Sequence, residues 1–421
     1  MLDESMLDAP DGLARADRRG LLRGAAEAGA RVRTAVRNAE EAGIARLNPE
    51  GRPRSVMVAG SGAAAATVAD LIGALAGSVA PITRLRPVGV APAAGALRWS
   101  LPGWTGAVDL LLIVTTDGGE PGLALLAEQA YRRGCTVVAV APAGSPLTET
   151  VDGARGLMVP MATTPSQRYE SPYDPRDGDR SPAGDGARDR DGDGARAEPG
   201  SHGYRRLGEP AAPRPEAVPA SPGALWALFT PLLVLLDRIG LLTAPPETLN
   251  LLADRLDRVA ERCGPAIATY SNPAKTLAAE LAESLPLIWT EGAATAPVGR
   301  RFATVLAELT GRPALAAELP EALASHGALL RGVFAGGGDP DDFFRDRVED
   351  PAALRARVVL LRDRPADSLS AAPAAREAVS AENTPLSELE PEEGSELEAL
   401  AELVAVTDFT AAYLTLATPD L

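Results

Sequence analysis

The sequence predicts an α/β fold of two parallel sheets, each flanked by helices, joined by a disordered linker, and three observations predict it. Short apolar runs recur along the chain, helical repeats of a dozen or more residues separate them, and one long segment is almost without aliphatic side chains. Strands that are apolar throughout, instead of alternating, belong to sheets covered on both faces.

Residues 13–47 carry Leu, Ala and Val at helical spacing with Arg and Glu between them, so one or two amphipathic helices open the chain and cover a sheet. A strand signal, Ser55-Val56-Met57-Val58-Ala59, runs into Gly60-Ser61-Gly62 and then an alanine-rich helix to Ala76. A second, Asp109 to Val114, leads through Thr115-Thr116-Asp117-Gly118-Gly119 into a helix ending near Arg133, and a third, Thr136 to Val140, follows Gly134. Beyond the linker, helices are predicted near 224–241, 246–262, 298–308, 321–334 and 395–416, with strands at Leu287 to Trp289 and Val358 to Leu361. The limits that follow are an N-terminal helical segment 1–54, a first domain 55–165, a linker 166–222 and a second domain 223–421.

The linker is rich in Pro, Gly, Asp and Arg and cannot bury enough apolar surface to offset its ordering entropy. Limited proteolysis should therefore cut first between Arg168 and Arg214, and protection of that whole stretch would refute the reading. Within it, Asp189-x-Asp191-x-Asp193-Gly194 imitates the start of a calcium-binding loop, but the twelfth position is Gly200 where a bidentate glutamate is needed.

The 57 carboxylates outnumber 41 Lys and Arg, and the net charge of −16 argues against a nucleic-acid or anionic-membrane partner. Cys135 and Cys263 are the two cysteines, which fits a reduced, cytoplasmic protein without disulfides or a zinc site. The start, Met1-Leu2-Asp3-Glu4-Ser5, has neither the basic nor the apolar stretch of a secretory signal. The longest apolar run, Leu225 to Leu236, is too short to span a bilayer and reads as a buried helix. No cofactor is expected. The Gly60-Ser61-Gly62 turn lacks the third glycine and the following acidic residue of a dinucleotide site.

The one lysine of the chain is Lys275, in Asn272-Pro273-Ala274-Lys275-Thr276-Leu277-Ala278-Ala279-Glu280-Leu281. Pro273 suits the first helical position and Asn272 the cap. A lysine in that first turn faces the positive end of the helix dipole, disfavoured by up to about 1 kcal/mol. Either Lys275 has a specific partner or it is a solvated lysine at a helix start. The apolar face of Leu277, Leu281 and Leu285 beside it suggests a dimer interface.

This segment, with Pro286-Leu287-Ile288-Trp289 after it, resembles the C-terminal half of the bifunctional phosphoglucose/phosphomannose isomerases of the sugar isomerase (SIS) superfamily. The resemblance implies two SIS-type Rossmann-like domains, a homodimer, and a sugar phosphate or related carbohydrate derivative as ligand. It also implies aldose–ketose isomerisation of hexose 6-phosphates through an enediolate, which needs a carboxylate base and a group that opens the sugar ring. By motif position the base corresponds to Glu308, in Leu306-Ala307-Glu308-Leu309, and the ring-opening histidine to His326, with a small offset. Glu308 could equally be an ordinary exposed helix residue, and His326 could lie on a helix surface. The family's catalytic lysine near the C-terminus has no counterpart in Thr418-Pro419-Asp420-Leu421.

The resemblance places the substrate's phosphate against the Gly60-Ser61-Gly62 turn and a loop containing Thr115 and Gly118, with Lys275 also at the ligand. In that loop Asp117 and Glu120 stand where the family has a serine and a threonine, and two carboxylates repel a phosphate dianion. A catalytically inactive relative, sensing a sugar metabolite or binding a partner protein, is the competing reading.

Overall fold

A computed structural model describes residues 2–47, 51–89, 97–162, 221–332, 334, 354–363 and 368–418. The linker 166–222, with its Asp189 motif, lies outside these residues apart from its last two.

Four helices open the chain: α1 (Glu4–Leu7), α2 (Pro10–Ala16), α3 (Leu21–Ala26) and α4 (Ala28–Glu41). Then follow β1 (Val56–Ala59), α5 (Gly62–Ala76), β2 (Ile82–Leu85), β3 (Leu110–Val114), α6 (Pro121–Arg132), β4 (Thr136–Ala141), α7 (Pro146–Gly153) and β5 (Leu157–Pro160). Three helices, α8 (Ala224–Arg238), α9 (Pro246–Arg262) and α10 (Pro273–Leu281), precede β6 (Ser284–Glu291), α11 (Thr295–Thr310), β7 (Leu315–Glu318) and α12 (Glu321–Leu330). The chain closes with β8 (Arg355–Arg362), α13 (Ala372–Ala381), β9 (Leu386–Leu389) and α14 (Glu396–Leu416).

Both sheets are parallel, in the order β2-β1-β3-β4-β5 and β7-β6-β8-β9, as the apolar strand runs required. β1, β3 and most of β4 are buried along their length because helices cover both faces. In each sheet the chain leaves one central strand toward one edge and its neighbour toward the other. The pairs β1/β3 and β6/β8 are therefore topological switch points, where a crevice opens beyond the strand ends.

One core joins the two halves. Val56, Val58, Leu110 and Leu112 of the first sheet and Ile288, Val359 and Leu361 of the second face the same cluster, filled by α4, α5, α8, α9, α10, α11 and α14. The opposite face of the first sheet packs against α6 and α7, and that of the second against α12 and α13. Although α8 was assigned to the second domain, it packs on α4, α5 and β4 of the first half. α14 is long and apolar enough to cross a membrane, yet it is a core helix, enclosed by α3, α9, α10 and α11.

This packing corrects the expected dimer face. Leu277, Leu281 and Leu285 are already buried within one chain, the first two against α14, at roughly 2 kcal/mol per leucine. They leave no apolar surface there for a second copy.

Candidate functional site

The turn Gly60-Ser61-Gly62 leaves β1 at the first switch point and opens α5. Gly60 is the residue that fits, since a Cβ there would lie 2.1 Å from the Val114 carbonyl oxygen and 2.6 Å from the Ala65 Cβ. Gly62 has φ +82°, a conformation open mainly to glycine. Ser61 caps α5 in extended conformation, but its hydroxyl makes no capping bond to the first turn. The amides of that turn receive no side-chain acceptor among the described residues, and the positive end of α5 lies at the switch point.

Across the crevice, the loop after β3 is arranged in the opposite way. Thr115, almost fully buried, accepts from the backbone N–H of Gly118 at 3.1 Å and of Asp117 at 3.3 Å. The Asp117 carboxylate accepts from Gly119 N–H at 3.1 Å, and Glu120 caps α6 by accepting from Gly122 N–H at 3.3 Å. The N–H groups that would cradle an anion thus carry acceptors of the loop's own. Gly118, at φ +70°, holds the turn against α7: a Cβ there would meet the Ser145 Oγ at 2.4 Å, and its carbonyl accepts from Leu147 N–H at 3.1 Å.

Repulsion is the lesser obstacle to a phosphate here. Asp117 is exposed, and in water two unit charges about 4 Å apart interact by about 1 kcal/mol. Occupied donors matter more, because a ligand oxygen must displace a hydrogen bond already made.

Lys275 is fully buried, with its ammonium donating to the carbonyls of Ile267 at 2.7 Å and Pro265 at 2.8 Å. Its nitrogen lies 5.4 Å from the centre of the Tyr413 ring on α14. Those carbonyls follow the end of α9, where the backbone presents partial negative charge, so the cation leaves the unfavourable start of α10 for a favourable neighbour. Asn272 caps α10 as expected, accepting from Ala274 and Lys275 N–H at 3.1 Å each. Burial pushes the Lys275 pKa down, and Asp8 partly opposes that shift. In this position Lys275 ties α9, α10 and α14 together and reaches no open crevice.

Glu308 stands exposed on the last turns of α11. His326, on α12, is buried, and its Nδ1 accepts from the Trp289 indole N–H at 2.9 Å. Burial lowers its pKa below the ordinary histidine value. α11 packs on one face of the second sheet, with Phe302, Val305 and Leu306 in the shared core, and α12 on the other, with Ala322 and Leu330 beside Trp289. The sheet therefore separates Glu308 from His326 within one chain.

The sequence reading had no place for Ser145 or for the indole of Trp289. Ser145-Pro146 is a helix-start signature that could have flagged the first. Nothing local marks Trp289 as the partner of a histidine 37 residues away. Among the described residues no three His, Cys, Asp or Glu side chains gather as metal ligands.

Residues 270–418 match the bacterial phospho-glucose isomerase C-terminal SIS domain. No curated protein matches the sequence. Among solved structures, a Silicibacter pomeroyi DSS-3 protein provisionally described as a phosphosugar isomerase is similar at TM-score 0.55 and 14% identity, with 93% of this chain and 96% of that one covered. A Clostridium difficile 630 protein with the same provisional description is similar at TM-score 0.54 and 11% identity, with 95% and 94% covered. The C-terminal domain of glucosamine-fructose-6-phosphate aminotransferase from Francisella tularensis is similar at TM-score 0.51 and 11% identity, with 94% and 95% covered. At these identities the likeness is one of fold.

Proposed function

We propose that this chain, whose residues 270–418 match the bacterial phospho-glucose isomerase C-terminal SIS domain, is an SIS-family protein that binds a carbohydrate derivative at the switch point between β1 and β3. The observation that carries the reading is the Gly60-Ser61-Gly62 turn, whose helix start at the switch point has no side-chain acceptor on its amides among the described residues. Hexose 6-phosphates are the proposed ligands, and interconversion of glucose 6-phosphate or mannose 6-phosphate with fructose 6-phosphate through an enediolate is the proposed reaction. Glu308 would move the proton between C1 and C2, and His326 would assist ring opening. Because the second sheet lies between them, a shared site needs Glu308 of one copy and His326 of another, which makes a homodimer part of the proposal. Light scattering should then give about twice the monomer mass. A cytoplasmic setting without nucleic-acid or membrane partners fits the acidic, cysteine-poor composition.

Phosphate affinity in the natural protein is expected to be weak, because Asp117 and Glu120 engage the loop's own N–H groups. The double variant Asp117→Ser, Glu120→Thr should release those donors and remove two charges while keeping the Gly118 turn. Affinity for fructose 6-phosphate, measured by calorimetric titration at constant ionic strength, should rise at least about tenfold, or about 1.4 kcal/mol. Equal binding by both proteins would place the phosphate elsewhere.

The same self-capped loop favours a second reading, a non-catalytic relative that senses a sugar metabolite or stabilises a partner protein. A coupled assay with glucose 6-phosphate, mannose 6-phosphate and fructose 6-phosphate separates the two. Turnover that is lost in Glu308→Gln supports the isomerase, whereas sugar binding without turnover supports the sensor.

A further inference from the structure

We infer that Trp289 is a positioning residue for His326: its indole N–H holds the imidazole in the tautomer protonated on Nε2, leaving that N–H as the edge His326 can offer a ligand. The inference rests on the ring-opening role proposed above only for its functional meaning, since the geometry stands without it.

An indole nitrogen can donate and cannot accept. With Trp289 Nε1 2.9 Å from His326 Nδ1, the imidazole must present a lone pair at Nδ1, and the proton of the neutral ring sits on Nε2. The rings meet at an angle of 38° with centres 6.5 Å apart, an edge contact that suits this hydrogen bond. Trp289 cannot readily turn away. It is fully buried in the central strand β6, on the sheet face it shares with Leu285 and Leu287. His326 reaches it from α12, which packs against β7 and α13.

Adding a proton at Nδ1 would oppose two donors, so the bond works together with burial against the imidazolium. Charged groups on the neighbouring elements are Glu291 at the end of β6, Glu318 on β7, Glu321 at the start of α12 and Arg331 just past its end, and Arg376 and Glu377 on α13. Burial is the cause of the downward shift, and none of these charges contributes to it. His326 therefore acts on a sugar by donating a hydrogen bond from Nε2–H, for instance to the ring oxygen, and cannot serve as the base that removes a hydroxyl proton.

The test uses full-length protein labelled with 15N, read by long-range 1H–15N correlation of the imidazole rings. The chain has two histidines, His202 and His326, and His202→Ala assigns the spectra. The expected result is the pure Nε2–H tautomer for His326 at neutral pH, with a midpoint below that of a free histidine. In Trp289→Phe the tautomers should mix and the midpoint should rise by about one pH unit, the size of one ordinary hydrogen bond. An Nδ1–H tautomer in the natural protein, or an unchanged titration in folded Trp289→Phe, overturns the inference. If Trp289→Phe does not fold, the tautomer of the natural protein decides alone. The Nε2–H tautomer without isomerase turnover supports the role of Trp289 and counts against the ring-opening role of His326.

Discussion

Lys275→Ala is expected to destabilise the protein by about 3–5 kcal/mol, a large share of the roughly 5–15 kcal/mol that holds a typical domain together. The substitution leaves the carbonyls of Pro265 and Ile267 buried without their donor, each costing about 1–3 kcal/mol, and opens a cavity beside Tyr413. Lys275→Met fills most of that volume without restoring the donors, so its loss should lie between the natural protein and the alanine variant. Urea unfolding midpoints at fixed slope make the comparison. Equal midpoints for natural and methionine proteins would show that the ammonium contributes only its volume.

Asp408→Ala should cost a similar amount, about 3–5 kcal/mol, for a different reason. Asp408 sits in the middle of α14, where its carboxylate pairs with the Arg301 guanidinium of α11 and accepts from Gly223 N–H at 3.1 Å where the chain enters α8. Burial pushes the Arg31 pKa on α4 down, and Glu27 first and this carboxylate second oppose that shift. Removing it strands the Arg301 guanidinium in the core between the halves, while Arg31 keeps Glu27, 3.6 Å away. Combining Asp408→Leu with Arg301→Met removes the orphaned charge together with its partner and should recover part of the loss. A double variant as unstable as the single would mean that the damage comes from packing instead of from the orphaned cation.

Most of the fold was legible in the chain because strands covered on both faces are apolar through their central residues. β1, β3, β4, β6 and β8 announced themselves in this way. The edge strands β2, β5, β7 and β9 did not, since each is four residues long, partly solvated, and held by pairing to a neighbour distant in sequence. The candidate site was legible at its glycines. Gly60, Gly62 and Gly118 are required by close approach or by left-handed backbone, and such needs are written locally. What the loop's acids do was not legible, because charge alone suggested repulsion, whereas geometry makes Asp117 and Glu120 acceptors for their own backbone.

The sequence by itself determined the α/β class, the two parallel sheets, the capped start of α10 and the turns at the first switch point. Each depends on a periodicity or a backbone requirement that a few adjacent residues satisfy. Only the tertiary structure decided that Lys275 bonds to carbonyls beyond α9, that Leu277 and Leu281 face α14, and that a sheet stands between Glu308 and His326. Those outcomes depend on which elements meet, and the partners of a buried cation or an apolar face are chosen across hundreds of residues by packing, which no local pattern records.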